Sequence, residues 1–305
     1  MRFPLSLSFL AAIFVLGTAS AAEPCPSPWV CKNLTLKIPY TVLRLRMSAV
    51  ETIRAGYYPE RGAFRGNVLY FEGLGDSMLN HGPLFQALSE AGYRVVAFDY
   101  MGQGGSSGRM DRTRIASIPR IGERVWKEFA RDTRDFPRKT LLGWSTGGLA
   151  AYLAATRSQA DRVILLAPGI APNTIVGGGL TSWPPNLITP ESLTTAVPYA
   201  ASETDPHVDP VRPNSPVKVP AFAVDLITTA QSVKDAKVPA SIRGLVLLSG
   251  DADTYVDAKK TRSILHASAP HFRVEQYAGA LHEIDNERPE IQNRAIADIL
   301  RFLAE

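Results

Sequence analysis

Ser145 stands between Gly143 and Gly147, with the apolar run Thr140, Leu141, Leu142 before it and Gly148, Leu149, Ala150, Ala151 directly after. The spacing predicts a strand, a sharp turn and a helix in immediate succession. A residue at the apex of such a turn sits in strained backbone with its side chain thrust outward. Flanking glycines are needed because any Cβ there would strike the neighbouring strand or helix. The run before Ser145 reads as a buried parallel strand. The small residues after it, Gly147, Gly148, Ala150, Ala151, Ala154 and Ala155, make a helix that can lie close against a sheet. A serine presented in this way is a candidate nucleophile if the chain also supplies a base, an acid and donors for an oxyanion.

The surrounding pattern supports a sheet of that kind. Residues 34 to 58 alternate in strand fashion and predict a meandering antiparallel edge. Beyond Gly66 the pattern changes to unbroken apolar runs, with strands expected at 67–71, 93–98, 163–166 and 245–248 and a last one at 273–276. Helices are expected at 84–91, 115–136, 257–267 and 289–303. The alternation argues for one mostly parallel sheet flanked by helices, an α/β architecture. One segment interrupts it. Eleven of the 23 prolines lie between Pro168 and Pro220, around Gly177, Gly178 and Gly179, so no long helix or central strand runs there. The segment from about 170 to 238, closing in a helix from Ala221 to Ala236, is expected to form a small Pro-rich cap. Its Ile175, Val176, Leu180, Trp183, Leu187 and Ile188 would either line an acyl pocket or fix the insertion to the core.

Met1 to Ala22 carries Arg2, an apolar run from Leu5 to Leu16 and the small residues Ala19 to Ala22. This is the pattern of a secretory signal peptide, with cleavage expected after Ala21 or Ala22; the apolar run is short for a membrane span. Residues 23–305 then form one domain in a secreted or periplasmic setting. In that oxidising setting the only cysteines, Cys25 and Cys31, are expected to pair. So small a loop would contribute about 2 kcal/mol at most, as a clamp on the N-terminus. The net charge of +4 comes from scattered Lys and Arg without a basic stripe, which points away from nucleic acid and is compatible with weak contact to anionic membrane surfaces.

A serine hydroxyl needs a base to take its proton. Among the five histidines, His282 lies just past the last expected strand, at the carboxyl edge of the sheet where Ser145 emerges. His81, His207, His266 and His271 are less well placed. The histidine in turn needs an orienting carboxylate. Three aspartates, Asp251, Asp253 and Asp257, follow the strand 244–250; Asp253 sits at the loop apex, whereas the other two suit turn and helix caps. The resulting order is Ser, Asp, His.

With GWSTGG at 143–148, FEGLGDS at 71–77, FDYMGQGGSSG at 98–108, SGDADTYVD at 249–257 and ALHEIDNE at 280–287, the chain resembles the α/β-hydrolase superfamily, and within it the monoacylglycerol lipase and lysophospholipase group. The resemblance implies the α/β-hydrolase fold and a carboxylic ester hydrolase acting through a Ser145, His282, Asp253 triad. The substrate would be a small ester or lipid. It also implies an oxyanion hole from the backbone N–H groups of Leu74 and Thr146, with no cofactor and no metal. A peptidase or acyltransferase on the same triad, or a non-catalytic binding member of the fold, are the alternatives. Two departures stand out. Glu72 occupies the position where the family usually has histidine before the glycine, so a carboxylate lies near the expected oxyanion site unless it is protonated, paired or turned away. Met101 replaces the arginine of the family's R-G-x-G loop, so that loop must be anchored differently. Glu203, Asp205, His207 and Asp209 alternate along the insertion and read as a solvated loop rather than a cation site.

Overall fold

The computed structural model describes residues 25–42, 45–173, 193–196 and 220–305. The expected signal peptide, most of the expected cap with its six apolar residues, and Glu203, Asp205, His207 and Asp209 lie outside the described residues.

The residues expected as a meander form a single long hairpin. β1 (Val30–Val42) pairs antiparallel with β2 (Leu45–Tyr58) along its whole length, from Val30 opposite Tyr57 to Val42 opposite Leu45. Only the end of β2, from Ala55 to Tyr58, joins the rest of the sheet, by pairing antiparallel with β4 (Tyr93–Phe98). The remaining strands are parallel: β3 (Gly66–Phe71), β5 (Thr140–Trp144), β6 (Arg162–Leu166), β7 (Arg243–Leu248) and β8 (Arg273–Gln276). The eight-stranded order is β1-β2-β4-β3-β5-β6-β7-β8. Every residue of β3, β5 and β6 is buried, as expected for strands covered on both faces.

Helices α1 (Gly82–Glu90) and α2 (Ile118–Phe129) cover opposite faces, because adjacent residues of β3 meet them. Tyr70 packs against Phe85 of α1 with ring centres 5.0 Å apart, while Phe71 faces Gly122 of α2. Further along come α3 (Thr146–Thr156), α4 (Pro220–Val233), α5 (Ala258–Ser268) and α6 (Pro289–Ala304). The helix expected over 115–136 is shorter. Two 3₁₀ turns at Met110–Arg112 and Ile115–Ser117 precede it, and the chain turns extended at Ala130. Asp132, two residues on, takes a positive φ of 48°, which a right-handed helix does not accommodate. At the other end of the chain order, Cys25 and Cys31 form the expected disulfide.

The Gly-rich loop after β4 solves the anchoring problem that Met101 posed. Met101 is buried, and the cation comes instead from β2, where Arg54 Nε donates to the Asp99 carboxylate, both side chains being almost fully buried. Asp99 also accepts from the backbone N–H groups of Met78 and Gly105, at 2.8 Å each. The hydroxyls of Ser106 and Ser107 accept from Arg54 and Thr52 N–H. Loop, hairpin and the segment after β3 thus close on one buried ion pair. Replacing Arg54 with methionine strands the Asp99 carboxylate and should cost about 3–5 kcal/mol in urea unfolding; a change below about 1 kcal/mol, the range of exposed pairs, would show the pair to be dispensable.

Candidate active site

The carboxyl ends of β3, β5, β7 and β8 open on the same sheet edge, so the loops that follow them converge. At the end of β5 the chain turns at Ser145, whose φ of 54° and ψ of −115° lie in a region that non-glycine residues rarely occupy. Packing forces that conformation. A Cβ on Gly147 would stand 2.1 Å from the carbonyl oxygen of Phe71, and one on Gly143 would stand 2.3 Å from the carbonyl oxygen of Gly147. The turn is pinned from behind, where Ser145 N–H donates to Leu166 O at 2.9 Å and Gly169 N–H donates to Ser145 O at 2.8 Å.

The structure brings Ser145, His282 and Asp253 into one hydrogen-bonded chain. His282 Nδ1 lies 2.9 Å from Asp253 Oδ2, and Nε2 lies 2.8 Å from Ser145 Oγ. With a carboxylate on Nδ1, the ring carries its proton there, and Nε2 is left to accept from the serine hydroxyl. The imidazole is buried between Trp144 and Tyr255, with ring centres 5.4 and 4.9 Å away, and Trp144 Nε1 donates to the His282 carbonyl. Asp253 is held by four donors: His282, the Ser249 hydroxyl, and the N–H groups of Tyr255 and Val256. Burial pushes its carboxyl up, but His282, Ser249 and Tyr255 outweigh that and hold it below the usual carboxylate range. The neighbouring aspartates do other work. Asp257 caps α5 by accepting from Lys260 N–H at 2.8 Å, and Asp251 is exposed beside Lys259.

Leu74 follows β3, and Thr146 is the first residue of α3. Neither backbone N–H has an acceptor among the described residues. Gln103, from the Gly-rich loop, spans Leu74: its Nε2 donates to Gly73 O at 3.1 Å, and its Oε1 accepts from Gly75 N–H at 2.9 Å. Gly73 itself lies flat on Trp144, where a Cβ would fall 2.4 Å from the indole ring. Glu72 is fully buried and turned toward the Gly-rich loop, with Oε1 accepting from Tyr100 N–H and Gln103 Nε2, both at 2.7 Å. Burial, with Asp99 and Asp76 adding to it, pushes this carboxyl well above its ordinary value, which favours the uncharged acid.

The other histidines separate clearly. His266 is exposed on α5, His271 bonds to Ile242 O, and His207 lies outside the described residues. His81 is fully buried, with Nε2 2.8 Å from Asp76 Oδ2 and Nδ1 2.6 Å from Asp285 Oδ2. In the sequence His81 stands only as a possible base, and nothing marks Asp76, Asp285, Gln103 or Ser249 as site residues. The one local signal was the density of acids and amides in HEIDNE, all of which are buried. Among the described residues, no three His, Cys, Asp or Glu side chains are arranged to hold a metal ion, and no helix is long and apolar enough to cross a membrane.

Comparison with known proteins agrees with this architecture. A family model described as Serine aminopeptidase, S33 matches residues 62–289. Rat monoglyceride lipase is 25% identical over 257 residues, covering 80% of this chain and 84% of the rat protein. The crystal structure of Paleococcus ferrophilus monoacylglycerol lipase superposes with a TM-score of 0.62 at 23% identity, covering 82% of this chain and 98% of that one. A soluble variant of Saccharomyces cerevisiae monoglyceride lipase, in complex with a substrate analog, gives 0.67 at 17% identity, covering 92% and 99%. These structures share the α/β-hydrolase fold.

The depressed Asp253 carboxyl has a consequence for stability. A depressed folded value contributes stability that is present above the ordinary aspartate range, about 3.9, and is lost as pH falls through the depressed value. Measured across that acid window, the urea midpoint of wild type should fall more steeply than that of Asp253→Asn, which has no proton to take up. Equal slopes would mean that Asp253 is no more acidic folded than unfolded.

Proposed function

The chain belongs to the serine aminopeptidase family of α/β-hydrolases, and from that premise we propose that it cleaves carboxylic esters through an acyl-enzyme on Ser145. The observation that carries the reading is the hydrogen-bonded chain from Ser145 Oγ through His282 to Asp253. In the first step Ser145 Oγ bonds to the ester carbonyl carbon as its proton passes to His282 Nε2. The carbonyl oxygen becomes an oxyanion. It accepts from the N–H groups of Thr146 and Leu74, donors of a kind whose single removal costs about 2.7–4 kcal/mol in other enzymes. The C–O bond to the leaving alcohol breaks, and His282 hands its proton to that oxygen. Water then gives a proton to His282 and attacks the acyl carbon, and Ser145 leaves with the proton restored. Asp253 remains a carboxylate throughout and stabilises the imidazolium.

Three further observations support the reading. Both N–H groups lack competing acceptors among the described residues. Glu72 turns its carboxyl to the Gly-rich loop, where Oε1 accepts from Tyr100 N–H and Gln103 Nε2, and burial pushes its pKa up. The rat, Paleococcus ferrophilus and Saccharomyces cerevisiae proteins carry monoglyceride or monoacylglycerol lipase names, which favours a glycerol monoester as substrate, with a lysophospholipid or a simple ester within the same reading. Secretion or periplasmic export is part of the same proposal, supported by the pattern of residues 1–22 and by the Cys25–Cys31 disulfide.

The deciding assay sets monoacylglycerols and a chromogenic ester series, from acetate to palmitate, beside amino-acid arylamides. The expected result is ester turnover that falls by about 10³-fold or more in Ser145→Ala. Arylamide turnover exceeding that of every ester would instead make the protein a peptidase. Loss-free activity in Ser145→Ala would remove the acyl-enzyme.

A further inference from the structure

The proposed mechanism requires two groups from distant parts of the chain to keep a fixed separation: the Leu74 N–H after β3 and the His282 ring after β8. Behind them lies a second histidine that touches both loops. Asp76, two residues past Leu74, accepts at Oδ2 from Gly73 N–H at 3.3 Å and lies 2.8 Å from His81 Nε2, while its Oδ1 accepts from Asn80 Nδ2 at 3.0 Å. Asp285, three residues past His282, lies 2.6 Å from His81 Nδ1. Asp76, His81 and Asp285 are all fully buried. A second stitch runs alongside, from Asn286 Nδ2 to the Asn80 carbonyl at 2.9 Å. Trp144 fills the space between the two histidines, with its ring centre 5.5 Å from His81 and 5.4 Å from His282.

We propose that His81 is a positioning residue for the reaction, clamping the loop that carries the Leu74 donor to the loop that carries His282. The inference rests on the esterase reading above, and deepens it. A neutral imidazole has one N–H and can satisfy only one of two carboxylates. With an acceptor oxygen on each ring nitrogen, the arrangement is complete when the ring carries both protons. Burial opposes that charge, but Asp285 and Asp76 outweigh it and hold the ring's pKa well above the ordinary histidine value. Among the described residues, Tyr70 from β3, Phe85 from α1 and Trp144 from β5 face the ring, and its ion pairs are with Asp76 and Asp285. A buried ring bonded to an acceptor from each loop is a stiff link, because moving either arm leaves a buried donor without its partner. Both arms end within three residues of a group the mechanism uses. Misplacement of either by about 1 Å is the scale that costs about 100-fold in rate.

The test is made on Asp285, which severs one arm and leaves His81 paired with Asp76. Asp285→Ala should lower kcat by about 10- to 100-fold with KM changed less than about 3-fold, and should slow labelling of Ser145 by a fluorophosphonate in the same proportion. Asp285→Asn keeps an acceptor oxygen and should stay within about 3-fold of wild type. Rates are read well below the melting temperature of each variant, with folding checked by circular dichroism. Unchanged kcat and labelling in a folded Asp285→Ala, with only the melting temperature lowered, would overturn the proposal and leave the cluster a purely structural one. Equal losses in the alanine and asparagine variants would also overturn it. Should Asp285→Ala not fold, His81→Gln, whose amide still reaches one carboxylate, carries the same expected split. If wild type proves inert toward esters, the esterase reading fails, while the fluorophosphonate rates still decide the clamp. As an independent readout, ¹⁵N NMR should find both His81 ring nitrogens protonated above the pH at which an ordinary histidine loses its proton; a ring that is already a neutral tautomer there would contradict the clamp.

Discussion

There is no room for one more carbon between the turn at Ser145 and the end of β3. The carbonyl oxygen of Phe71 stands 2.1 Å from where a Gly147 Cβ would be, and this close approach governs the rest of the site. It requires glycine on the helix side of the turn, lets α3 start directly against the sheet, and leaves Ser145 with positive φ as the residue that absorbs the bend. It also joins the loop after β3 to the serine, since the strand that crowds Gly147 runs straight on into Glu72, Gly73 and Leu74. Backbone strain of this kind persists only where surrounding packing over-determines it. Here the hydrogen bonds from Ser145 to Leu166 and from Gly169 to Ser145 do so.

Around that turn the protein buries an unusual amount of acid. Glu72, Asp76, Asp99, Asp253, Glu283, Asp285 and Glu287 are all buried at or near the carboxyl edge of the sheet. Five of them illustrate three ways of accommodating a buried acid: a cation, a cluster of neutral donors, or a shift toward the uncharged form. Asp99 has the Arg54 guanidinium, and Asp76 and Asp285 share the His81 ring. Glu287 has a cluster of donors from Leu281, Thr195 and Arg288. Glu72, with two donors on one oxygen and none on the other, shifts toward its uncharged form. The arrangement concentrates fixed dipoles and charges beside Ser145 and excludes water from them, which is the condition under which electrostatic preorganisation is strong.

The strands and the order of the site residues were legible because their signals are local. Unbroken apolar runs mark β3 to β7, and the glycines around Ser145 announce a turn that only small residues permit. The candidate residues Asp253 and His282 each follow a readable strand. The antiparallel edge is legible, but its form as two long strands and the short α2 are not: alternation does not reveal that one strand of 13 residues folds back on another of 14, and helical periodicity continues past the point where the chain turns extended at Ala130. The charge network was invisible to local reading. His81 and Asp285 are 204 residues apart, and Arg54 lies 45 residues from Asp99, so nothing in either neighbourhood names the partner. The departure at Met101 announced that an anchor had moved without saying where. Only the pairing of β2 with β4 puts Arg54 within reach.

The few described residues of the insertion after β6 attach to the same loop as His282. Glu283 N–H donates to the Leu193 carbonyl, the Thr194 hydroxyl donates to the Asn286 carbonyl, and Thr195 bonds to the Glu287 carboxylate through both its backbone N–H and its hydroxyl. Residues 193–195 are therefore not separable from that loop. A chimera that imports a relative's insertion to change substrate range would have to carry these threonine contacts with it, or refit Glu287 and its neighbours to a new edge. Residues 193–195 and the loop that carries His282 are bonded as one piece, so neither can be redrawn without the other.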